Sequence, residues 1–154
     1  ACCLHGAWVD LALHKEIIAN ASLISPLLTE LWQDPEGWFS PEIEADPHTL
    51  SGKVIHTTVI DIEEHYGGTA CIFWLPDAKC ALQVASVIAG QHPWRLKPFY
   101  CILHPLILDD QGRITIDETE ALANEPASCL RPSDQATPLT VTFKEELEYL
   151  LKLD

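Results

Sequence analysis

Six cysteines run through the whole chain, Cys2, Cys3, Cys71, Cys80, Cys101 and Cys129, and any fold must find a place for them. An even count suits a disulfide framework in short secreted chains whose cores are too small to stand alone. With 154 residues, 47% of them hydrophobic, this chain can bury a core without covalent help. Its start carries no basic segment, apolar stretch and small-residue cleavage site of the kind that directs export, so a cytoplasmic, reducing location is expected. In such a compartment, gathered thiols serve metals or redox chemistry. One buried cysteine is explained as a small hydrophobe. Six are poorly explained that way.

The net charge of −14, from 9 Lys and Arg against 23 Asp and Glu, argues against nucleic acid, which is bound through clustered cationic side chains. An acidic surface that keeps the protein soluble accounts for the charge, and a protein partner with a basic surface is compatible with it. No apolar run approaches the roughly 18 residues of a membrane span. There is no internal repeat, and no glycine-rich phosphate loop or nucleophile elbow marks a catalytic centre.

Apolar residues recur at helical spacing over residues 11–23, and Ser25-Pro26 reads as the N-cap and first position of a second helix through Trp32. Residues 33–53, with three prolines and two glycines, read as a long surface loop pinned by Trp38 and Phe39. Residues 53–62 and 69–75 are β-prone, and Gly67-Gly68 between them suggests a hairpin. A helix over 79–89 is expected to stop at Gly90, and 99–108 reads as an apolar strand. Asp109 to Gly112 is a turn leading to a return strand over 113–117. A short helix near 118–124, a loop over 126–138 and a final helix opened by a Thr142–Glu145 capping box complete the chain. The mixture predicts an α+β fold: one compact domain over residues 1–154, with a small antiparallel sheet and several helices around a cysteine metal site.

The cysteines fall at strand and helix boundaries, which converge in space while staying far apart in sequence. Four thiolates suit a zinc ion or an iron–sulfur cluster. Spacing alone is weak, because no Cys-x-x-Cys pair occurs. His104, three residues after Cys101, would point to the opposite face of a strand, and His5 stands two residues after Cys3. His14, His48, His56, His65 and His92 show no ligand spacing and read as surface or turn residues. Trp74 and Trp94 lie near cysteines in sequence; packing explains them, as would shielding of a cluster.

The segments Ala1-Cys2-Cys3, Ala70-Cys71-Ile72-Phe73, Lys79-Cys80-Ala81-Leu82-Gln83 and the block from Lys97-Pro98 through Cys101 to His104-Pro105 are more specific. Together they resemble the cysteine-cluster family of zinc- or iron-chelating, or iron–sulfur-cluster-containing, proteins (YkgJ-like), and in particular a branch of unknown function. The likeness runs from Ala1 to about Leu151. It implies a main site built from Cys71, Cys80, Cys101 and one or both of Cys2 and Cys3. Cys129 either completes that site or belongs to a second. It implies a metal-binding protein with a structural or redox role. The alternatives are an iron–sulfur-dependent oxidoreductase or protein-modifying enzyme, and a non-catalytic interaction subunit of a larger complex. Family members often carry further cysteines ahead of the Ala-Cys-Cys, whereas this sequence begins at Ala1.

Overall fold

The computed structural model describes residues 3–65, 67–116 and 137–151. They fall into two compact units, Cys3–Pro98 and the part that begins at Phe99. Both mix helices with small antiparallel sheets, so the α+β expectation holds. Among the described residues, no helix is long and apolar enough to cross a membrane.

In the unit Cys3–Pro98, strand β1 (Trp8–Asp10) leads straight into helix α1 (Leu11–Ala19). Asp10 makes that junction, because its carboxylate accepts the Ala12 N–H at 2.7 Å and satisfies one of the unpaired donors of the first turn. Helix α2 (Ala21–Ile24) follows at once. The second helix expected after Ser25-Pro26 does not continue; three single 3-10 turns, Ser25–Leu27, Glu30–Trp32 and Pro35–Gly37, take its place. The Ser25 hydroxyl donates to the Gln33 carbonyl at 2.7 Å instead of capping a helix.

The expected loop over 33–53 contains a strand, β2 (Phe39–Ala45). It pairs antiparallel with β3 (Lys53–Thr57), whose other edge pairs with β1, giving the sheet order β1-β3-β2. Pro41 hid the strand in the sequence, since proline cannot donate to a ladder. The register does shift between Phe39 and Ile43, where Pro41 sits. Trp38 anchors this segment as expected. It is fully buried, its indole N–H donates to the Trp32 carbonyl at 2.7 Å, and its ring meets Phe73 edge-on.

The β-prone run 53–62 is broken after Thr57, so that β4 (Val59–Asp61) forms a separate hairpin with β5 (Thr69–Cys71). The expected hairpin is therefore present, shorter than predicted. Helix α3 (Ala81–Ile88) follows and is closed by Gly90, whose φ of 70° is the left-handed conformation a helix terminus favours. Its buried face, Ala81, Leu82 and Ala85, joins Val9, Ile17, Ile24, Trp38 and Phe73 in one core.

In the second unit, residues 99–108 are not the single strand predicted. Phe99–Leu103 is a helix, α4, and β6 (Leu106–Leu108) is the only strand part of the run. A short apolar run looks alike in a buried helix and a buried strand. Pro98 and Pro105 bracket the helix here, the first with its φ already fixed near the helical value and the second unable to continue the turn. The return strand β7 (Ile114–Ile116) pairs with β6 across the Asp109–Gly112 turn, as expected. At the end, helices α5 (Leu139–Thr142) and α6 (Lys144–Leu151) meet at Phe143, and α6 lies against α4. The Thr142 capping box is not formed; its hydroxyl donates back to the Pro138 carbonyl. The helix expected near 118–124 and nearly all of the 126–138 loop lie outside the described residues.

Candidate functional site

Main-chain hydrogen bonds join segments of the first unit that carry three of the six cysteines, and all three pack in or against its one apolar cluster. The Cys3 carbonyl accepts the Cys71 N–H at 2.6 Å. Two residues earlier on β5, the Thr69 hydroxyl donates to the Leu4 carbonyl at 3.1 Å, so the N-terminal segment is laid along the free side of the hairpin. The Cys71 carbonyl then accepts the Trp74 N–H at 2.8 Å, which turns the chain at the end of the strand. A second turn, closed by Leu75 and Ala78, returns the chain so that Cys80 forms an antiparallel bridge with Trp74. The Ala81 N–H donates to the Phe73 carbonyl at 2.7 Å and fixes the start of α3 there.

The three side chains share an apolar setting. Cys71 is buried in the core, and Cys3 and Cys80, each half-buried, pack against the same cluster. Cys80 occupies the N-cap position of α3 and makes no capping bond with its side chain. Anions are favoured at such a terminus by the unpaired N–H groups and the helix dipole. Cys71 Sγ donates to Thr57 Oγ1 at 3.4 Å, and the same oxygen accepts the Ala7 N–H at 2.8 Å. Thr57, 1% exposed, thus joins the N-terminal segment, β3 and Cys71.

Thr57 was missed by the sequence reasoning, and its position in a β-prone run gave no sign of this contact. His65 was assigned a surface or turn role. It does lie in the β4–β5 turn, but it is buried, with its ring edge-on to Trp74 at 5.4 Å. His5 is exposed. Cys101 lies in α4 of the other unit, half-buried. Because this segment is helical, Cys101 and His104 stand three residues apart on one side of a helical turn, which the His104 N–H to Tyr100 carbonyl bond of 3.0 Å extends. The opposite-face argument made from a strand does not apply. Cys2 and Cys129 lie outside the described residues.

Among the described residues, no three His, Cys, Asp or Glu side chains come together as a group that could hold a metal ion. Soft thiolates are the right chemistry for zinc or an iron–sulfur cluster. The described part supplies a cysteine-rich patch, short of a closed coordination set. No family model, no curated protein and no solved structure matches the chain.

Proposed function

We propose that this protein binds a zinc ion or an iron–sulfur cluster through its cysteines, in a structural or redox role. The candidate ligands are Cys3, Cys71 and Cys80 in the first unit, and Cys2, Cys101 and Cys129 in the rest of the chain, with Cys129 either completing the main set or belonging to a second. The observation that carries the reading is the pair of main-chain links, Cys71 N–H to Cys3 carbonyl and Trp74 to Cys80, which bring three thiol-bearing segments to one apolar patch. Their order along the chain is that of the YkgJ-like cysteine-cluster proteins.

Bound metal would supply a cross-link between segments that main-chain hydrogen bonds already bring together, and its binding energy would become folding energy. An iron–sulfur cluster would add one-electron chemistry. Thr57 and the apolar cluster would orient Cys71 and keep water from its sulfur. Thiolate ligands need a reducing compartment, in keeping with a cytoplasmic protein, and the charge of −14 makes nucleic acid an improbable partner. Elemental and optical analysis of protein purified without oxygen tests the reading.

A further inference from the structure

A cleft of about 500 Å³ opens on the unit Cys3–Pro98, apart from the thiol patch but sharing the Cys71–Cys80 connection as one wall. Its floor is the buried pair Leu28 and Ile72, and its sides include the half-buried rings of Trp32 and Trp74. Along one edge stand Asp61, Glu63 and Glu64, all exposed. Among the described residues, no lysine, arginine or histidine lines the cleft, and none of the three carboxylates is in an ion pair.

We infer that this cleft docks a basic segment of a partner protein, in which lysine or arginine residues alternate with aliphatic ones. Charge complementarity selects the sign: an apolar trough beside three unneutralised carboxylates repels anions and attracts cations. The spread of those carboxylates over four successive positions calls for more than one cation, which favours a polybasic segment over a single small amine. Exposed carboxylates bind weakly on their own because solvent and salt screen them. Most of the affinity must therefore come from the apolar walls. Lysine and arginine suit both requirements, since their aliphatic stems lie on Trp32 and Trp74 while their charged heads reach the acidic edge. The inference does not depend on the metal reading.

The test is calorimetric titration of the full chain with an acetylated, amidated pentapeptide of alternating leucine and lysine. The expected result is saturable one-to-one binding that weakens about tenfold in Glu63→Gln/Glu64→Gln. It should also weaken severalfold when salt rises from about 50 mM to about 500 mM. Both glutamates are exposed turn residues, so the variant should fold normally. A control pair, Glu42→Gln/Glu44→Gln on the exposed strand β2, makes the same change in net charge away from the cleft and should leave the affinity within about twofold of the original. Three results would overturn the inference: no saturable binding at low salt, equal weakening in both variants, or equal binding of the matching leucine–glutamate peptide.

Discussion

Replacing Thr57 with valine should destabilise the first unit, although it adds a methyl group to a buried site. Valine has nearly the shape of threonine, so the packing around position 57 is kept and no cavity opens. What is lost is the oxygen. The Ala7 N–H, which donates to it at 2.8 Å, is left without that acceptor in a position that is itself buried, and the Cys71 thiol loses its contact at 3.4 Å. A buried donor deprived of its partner costs about 1–3 kcal/mol. With a urea dependence of about 2 kcal/mol per molar, the unfolding midpoint should fall by roughly 0.5–1.5 M. Tryptophan fluorescence is the proper readout, because all five tryptophans, Trp8, Trp32, Trp38, Trp74 and Trp94, lie within Cys3–Pro98. Thr57→Ser serves as the control: it keeps the hydroxyl and loses a methyl worth about 0.8 kcal/mol. A Thr57→Val protein as stable as the original, or more so, would refute the claim that this hydroxyl holds the N-terminal segment in place.

Two pH-dependent effects follow from the same unit. Partial burial pushes the Asp10 carboxyl's pKa up, but hydrogen bonds from Ser51, Ala12 and Thr49 outweigh it and hold the value below the usual carboxylate range. Its contribution is therefore complete above about pH 4 and is lost as the pH falls through the lowered value. Asp10→Ala should cost about 1 kcal/mol at neutral pH, and a smaller amount in acid, by urea unfolding at several pH values; an equal loss at pH 7 and pH 2.5 would contradict it. Burial, helped by the neighbouring Lys15, pushes the His14 imidazole's pKa below its ordinary value of 6.5, and its ring sits edge-on to Phe39. The unfolded chain then takes up the proton first, so the stability contribution is intact above about pH 6.5 and declines as the pH falls through the folded value. NMR titration of the His14 ring protons should give a midpoint below 6.5; a midpoint above it would contradict the burial argument.

Much of the fold could be read from the sequence where local chemistry decides it. The 3.6-residue spacing gave α1 and α3, Gly90 gave the end of α3, and the Asp109–Gly112 turn gave the β6–β7 hairpin. It failed where tertiary pairing decides. Pro41 masked β2, whose pairing with β3 is made by residues on either side of the proline. Residues 99–108 are apolar enough for either a helix or a strand, and Pro98 and Pro105 bracket a helix within them. Of the candidate site, the sequence offered Cys3, Cys71 and Cys80 as ligands only through a resemblance, and the main-chain bonds that join their segments left no mark in it. Backbone donors and acceptors are identical at every residue other than proline, so no sequence pattern marks which ones will pair. The Thr57–Cys71 contact, between side chains on strands of two separate sheets, was equally unmarked in the sequence.

The central claim is that the cysteines hold a metal, and it is tested most directly by elemental analysis combined with visible absorption on protein purified without oxygen. One zinc per chain with a colourless spectrum, or iron and sulfide with a band near 400 nm that bleaches on reduction, is the predicted result. Removal of that metal should also lower the melting temperature. A metal-free preparation that is fully folded, with the melting temperature unchanged by a chelator or by added zinc, would contradict the account.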